Sequence, residues 1–193
     1  MTIKVRQAKD FITTNWSGGT TTELFIHPKE STFALRNFDF RLSTATVETE
    51  TSTFTPLQGV SRKLLLLDGA MTLHHEGQST QALKKFKIAE FNGDWKTTSI
   101  GKCIDLNLML RGTSEGDLGG RWLEPEEIIH YVIPSDASFL FVYLYQGKMD
   151  VRLQNETYQL LKGDLLIIQS PSVNSLQFKA IMKSEMVLIS VKS

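Results

Sequence analysis

Short runs in which apolar and polar side chains alternate, broken by Gly, Pro, Ser and Asn, fill the chain. Successive side chains of a β-strand point to opposite faces, so a period of two predicts strands rather than helices. The pattern predicts strands at residues 3–6, 20–26, 38–47, 63–68, 70–74, 98–100, 104–111, 128–133, 139–145, 148–153, 156–161, 164–169, 175–180 and 186–191. Residues 6–11 offer at most one turn of helix. Residues 112–120 hold four glycines in nine positions, a composition that disfavours a regular element and predicts a linker. The expected organisation is therefore all-β, with a first half over residues 1–112 and a second over 113–193, or one continuous domain.

The two halves share an order. Leu67-Asp68-Gly69-Ala70-Met71 matches Tyr145-Gln146-Gly147-Lys148-Met149, and Gly93-Asp94 matches Gly163-Asp164. Each half reads as strand, Gly, strand, hairpin turn, strand, Gly-Asp, strand. This order resembles the cupin barrel, and two copies in one chain imply a bicupin. Residues 84–92 form an insertion in the first copy, with Phe86 and Phe91 expected to cover a barrel end.

Residues 104–111 carry the most informative alternation. Ile104, Leu106, Leu108 and Leu110 make one face, and Asp105, Asn107, Met109 and Arg111 the other. Thr21, Glu23 and Phe25 are expected to share a face of their strand, as are Arg41, Ser43, Ala45 and Val47. Two readings follow. The charges can be salt-bridged to one another, since a buried charge is tolerated only when paired. Alternatively they line a barrel pocket in which arginine, amide and hydroxyl groups grip a small carboxylate, as a guanidinium does bidentately.

Composition narrows the chemistry. Lys+Arg and Asp+Glu are equal at 21 each, so no strong field draws nucleic acid or an acidic membrane. No apolar run is long enough to span a bilayer, the start shows no signal-peptide core, and a cytoplasmic protein is expected. Cys103 is the only cysteine, which excludes an intramolecular disulfide. Among the four histidines only His74-His75-Glu76 hints at a metal site, and adjacent strand residues point to opposite faces. The matching Arg152 and Leu153 of the second half are not ligands, so no metal is expected. There is no Gly-x-Ser-x-Gly elbow, and Trp16-Ser17-Gly18-Gly19-Thr20 lacks the Gly-Lys-Ser/Thr and helix of a phosphate loop. No catalytic residue and no cofactor are assigned.

With these residues assembled, the chain resembles the HutD/Ves family. The resemblance rests on Asn15-Trp16-Ser17-Gly18-Gly19-Thr20-Thr21-Thr22-Glu23-Leu24, Phe40-Arg41-Leu42-Ser43-Thr44-Ala45, Phe54 to Arg62, Leu66-Leu67-Asp68-Gly69, Phe91-Asn92-Gly93-Asp94 and Asp105 to Arg111, in that order. It covers residues 15–111; the second half matches only as a generic cupin-like half. The resemblance implies a metal-free bicupin linked to bacterial histidine utilisation or to stress responses. It also implies a regulatory role and binding of a formylated amino acid or urocanate.

The leading expectation is a sensor of a small anionic metabolite. Arg41 and Asn107 are its primary contacts, Thr21 and Ser43 supply hydroxyls, and Trp16 walls the site. Glu23 and Asp105 orient the arginines or receive a ligand N–H, and Arg111 completes the set. The alternatives are a metal-independent isomerase, lyase or hydrolase using Glu23 or Asp105 as base, and a structural module with no ligand. Residues 186–191 are expected to form an exposed edge able to pair in a homodimer.

Overall fold

The computed structural model describes residues 1–193. In its first part the strands are β1 (Thr2–Arg6), β2 (Ile12–Trp16), β3 (Gly19–His27), β4 (Phe40–Val47), β5 (Thr51–Thr53), β6 (Val60–His75), β7 (Ser79–Lys84), β8 (Ile88–Asn92), β9 (Thr97–Ile100) and β10 (Cys103–Arg111). They continue as β11 (Glu115–Leu123), β12 (Ile128–Val132), β13 (Phe139–Gln146), β14 (Lys148–Leu153), β15 (Glu156–Leu161), β16 (Leu165–Gln169), β17 (Ser175–Ala180) and β18 (Ser184–Lys192). One 3-10 turn, Ala8–Asp10, falls where a turn of helix is expected, and there is no α-helix. The all-β expectation holds.

The chain divides into two compact units, Ile12–Ser114 and a second made of Met1–Phe11 with Glu115–Ser193. A single cut near residue 112 therefore misses the N-terminal segment. Its strand β1 pairs antiparallel with β16, Ile3 opposite Ile168 and Val5 opposite Leu166, and so joins the later unit.

The later unit has two sheets, β1-β16-β13-β18-β11 and β12-β17-β14-β15. Leu140, Val142 and Leu144 of β13 meet Met149 and Val151 of β14 and Phe178 of β17 in one apolar core. Tyr143 is buried, whereas His130 is exposed on β12 with Nε2 near the Gln177 amide. Two expectations are corrected here. Residues 186–191 are not an edge, because β18 lies between β13 and β11. The glycine-rich linker is largely a strand: β11 pairs with β18 from Glu115 opposite Lys192 to Leu123 opposite Ser184. A full ladder, with Leu118 and Leu123 buried, outweighs the roughly 1 kcal/mol that each strand glycine costs.

The earlier unit is built on a sheet of order β2-β3-β4-β10-β6-β9-β5, with β7 and β8 also paired to β6. The 16-residue β6 joins what the sequence divides into two strands. Before Gly69 it pairs with β10 and β8, and beyond it with β7 and β9. Gly69 has φ +79, and a Cβ there would sit 2.5 Å from the Lys102 carbonyl oxygen. Gly147, its counterpart between β13 and β14, has φ +95 and the same conflict at 2.4 Å with the Lys183 carbonyl oxygen. The repeated glycine thus marks one geometric requirement in both units, a left-handed residue pressed against a neighbouring backbone. Asp164 also behaves as an Asp after Gly should, accepting from the Leu161 and Ala8 amides at 2.9 and 3.0 Å. Residues 84–92, read as an insertion, include the strand β8, and its Phe91 is part of the core rather than an end cover.

Candidate functional site

Antiparallel register stacks the polar side chains of the earlier unit in rows. Arg41 on β4 lies opposite Met109 on β10, which lies opposite Arg62 on β6. The next row on the same face joins Glu23, Ser43, Asn107 and Leu64. The row after that joins Thr21, Ala45, Asp105 and Leu66. Alternation alone sets these rows except at one point. A bulge at Leu24 shifts the β3 register, so Phe25 lies opposite Leu42 and stacks on Phe40 instead of sharing the face of Thr21 and Glu23.

Both faces of β10 are buried, its leucines as fully as its polar residues. The polar face is thus not a solvent face. Trp16, Thr21, Arg41, Ser43, Asp105 and Asn107, all expected at the site, line one cavity of about 700 Å³. Glu23 stands behind Arg41 and accepts from its Nε at 2.7 Å, while Arg41 Nη1 donates to Ser43 Oγ at 3.1 Å. The ring of Phe33 covers the same guanidinium at 4.4 Å. Arg111 is not in the cavity. It is exposed at the end of β10 and donates to the Arg36 carbonyl, holding the loop that carries Phe33.

Arg62 takes the place foreseen for Arg111. It lines the cavity, keeps 5 % of its surface exposed, and makes one hydrogen bond, from Nε to Asn107 Oδ1 at 3.4 Å. Its guanidinium lies over Phe54 at 4.6 Å and Phe91 at 5.2 Å. Burial lowers its pKa to about 10, with Asp105 opposing that shift and Arg41 adding to it, and it stays cationic at neutral pH. Asp105 is 2 % exposed and forms no ion pair. Burial pushes its carboxyl up to about 7 against the pull of Arg62 and of a hydrogen bond from Asn107, and its Oδ1 has no partner. The expected locking of two arginines onto two acids therefore occurs once, at Arg41–Glu23. Cys103 on the same strand is buried, and burial with Asp105 nearby pushes its thiol up to about 12, far from a thiolate nucleophile.

The family motif contained Arg62, but its face was hidden. It stands two residues before a run of four leucines, where both sides are apolar and alternation carries no signal. Phe33 sits in a loop with no periodic pattern to announce it.

No group of three or more His, Cys, Asp or Glu side chains is placed to hold a metal. His74 and His75 leave opposite faces of β6. His74 is exposed and bonded to Thr80 Oγ1, whereas His75 is buried among Phe91, Trp95 and Thr97. No helix is long and apolar enough to cross a membrane.

A family model described as HutD matches residues 8–188. Comparison with curated proteins gives no match. Among solved structures, the chain is similar to a conserved protein of unknown function, PA5104 of Pseudomonas aeruginosa PAO1, at 22 % identity and TM-score 0.84 over 100 % of both chains. HutD from Pseudomonas fluorescens SBW25, in a formate condition, gives 22 % and 0.76 over 99 % of this chain and 98 % of that one. A cupin 2 conserved barrel domain protein from Leptotrichia buccalis gives 11 % and 0.57 over 98 % and 96 %. At these identities the likeness is one of fold.

Proposed function

Because the chain belongs to the HutD family and has the fold of cupin-type proteins, we propose that it is a cytoplasmic bicupin whose earlier unit binds a small carboxylate as a regulatory sensor. The ligand class is that of histidine-degradation metabolites, a formyl-amino acid or urocanate. One observation carries this reading: two buried arginines face one cavity, and only Arg41 has an acid bonded to it. A desolvated guanidinium with no acid bonded to it is costly, and an entering carboxylate supplies a direct countercharge together with acceptors in the matching planar geometry.

The test is thermal melting with urocanate and with an N-formyl amino acid. At a hundredfold excess over Kd, binding adds about 2.7 kcal/mol and raises Tm by roughly 5–10 °C. Arg62→Ala and Arg41→Ala abolish the upshift. If no carboxylate at millimolar concentration stabilises the protein, the reading is wrong.

A second reading has its own observation. Asp105 Oδ1 is a buried, unpaired carboxyl oxygen in the cavity, with its carboxyl pushed up to about 7, which is the condition of a general base near neutral pH. It makes the protein a metal-independent isomerase, lyase or hydrolase of the same ligand. Proton NMR after prolonged incubation with saturating ligand separates the two, since an enzyme gives product resonances and a sensor gives none.

A further inference from the structure

Three buried polar atoms, Thr49 Oγ1, Ser99 Oγ and Asp105 Oδ1, have no hydrogen-bond partner in the protein, and all three residues line the one cavity. Buried polar groups are satisfied in the great majority of cases, so three orphans around one space need an explanation. Two of them, Thr49 and Ser99, lie away from the arginines, and Asp105 stands between, within electrostatic reach of Arg62. Arg41 and Arg62 reach as far as Ser43 and Asn107, which face each other across β4 and β10. Asp105 lies two residues further along β10, about 7 Å at strand rise. Thr49 follows the end of β4, and Ser99 on β9 lies opposite Leu73, beyond Gly69. The cavity therefore has a cationic end, with Phe33 and Phe54 at the guanidinium side, and a hydroxyl end at Thr49 and Ser99, with Asp105 between the two.

We propose that Thr49, Ser99 and Asp105 form a second subsite that takes an uncharged group bearing an N–H or O–H donor, so that the ligand is bifunctional. A carboxylate sits at the arginines, and an amide or hydroxyl at the far end of the same short chain. This rests on the carboxylate reading above and adds to it what the rest of the ligand must be. Hydroxyls both donate and accept, which suits a carboxamide or alcohol. A hydrocarbon end leaves the three atoms unsatisfied, and a second carboxylate meets the Asp105 carboxyl, to which no cation is bonded.

The experiment compares two probes of equal chain length by calorimetry. Glutaramate carries a carboxylate and a carboxamide at opposite ends, and hexanoate a carboxylate and a hydrocarbon end. The wild-type protein is expected to bind glutaramate at least tenfold more tightly. Ser99→Ala with Thr49→Val, which remove hydroxyls at nearly constant shape, bring that preference toward one by weakening glutaramate and not hexanoate. Equal affinity for the two probes in the wild type overturns the subsite but leaves the carboxylate reading standing, as expected if water alone satisfies the three atoms. Binding of neither probe by a protein with unchanged melting temperature overturns both. A preference that survives in the double variant overturns the assignment to Ser99 and Thr49.

Discussion

Asp105 is the residue whose protonation the fold controls most directly. In an unfolded chain its carboxyl titrates near 3.8, and burial lifts that to about 7 in the folded one. Between these values the folded state holds a proton that the unfolded state has lost, so stability falls as pH rises through this window. A shift of about three units corresponds to roughly 4 kcal/mol at most across the interval. Asp105→Asn keeps the shape and removes the ionisation. We expect this variant to melt at a higher temperature than the wild type at pH 8 and to differ little from it at pH 4. Scans at the two pH values check this, and an equal difference at both would show that ionisation of Asp105 is not linked to folding. Binding inherits the same sign, because an anion beside ionised Asp105 is repelled and one beside the protonated acid is not.

At the scale of the strand, the legible features were those where one face differs from the other. The polar side chains of β4 and β10, with Thr21 on β3, follow from alternation alone, because one slipped residue would exchange the faces, whereas Phe33, Phe54, Arg62 and Ser99 of the same cavity do not. Strand β2 was missed because Ile12–Trp16 is exposed along its whole length and has no buried face to pattern it. Strand β11 was missed because its glycines speak for a loop, and only the long-range ladder with β18 overrides them. Arg111 was misplaced because period two says nothing about where a strand ends. The repeated glycines, by contrast, were read from sequence and have a mechanical cause. Gly69→Ala and Gly147→Ala each force a Cβ onto a carbonyl oxygen in addition to a left-handed φ. We expect each to cost about 2–3 kcal/mol. Gly77→Ala, at φ +72 but with open space around it, should cost only about 1 kcal/mol. Urea denaturation midpoints of the three variants decide this, and equal losses would mean that the backbone approach at Gly69 and Gly147 is unimportant.

The two units share a strand order and differ in what fills them. The later unit is packed with leucine, valine, methionine and phenylalanine from both sheets, whereas the earlier one keeps arginines, an acid and hydroxyls around a cavity. The earlier unit also has an apolar core of its own, around Leu64, Leu66, Met71 and Phe91. The chain does not run through them once, because it begins in the later unit, crosses into the earlier one at Ile12 and returns at Glu115. The N-terminal strand is therefore a structural part of the unit farthest from it in sequence. It covers the edge of β16, packs Ile3 and Val5 against the apolar core, and is followed by Ala8, whose amide donates to Asp164. Removing residues 1–7 turns Leu165–Gln169 into an open edge. Hydrogen exchange of the β16 amides that face β1 should then accelerate at least tenfold, a loss of about 1.4 kcal/mol of local protection. Amides of β4 and β10 in the earlier unit should keep their protection. Faster exchange spread equally over both units would show that the first strand supports the whole chain rather than the unit it pairs with.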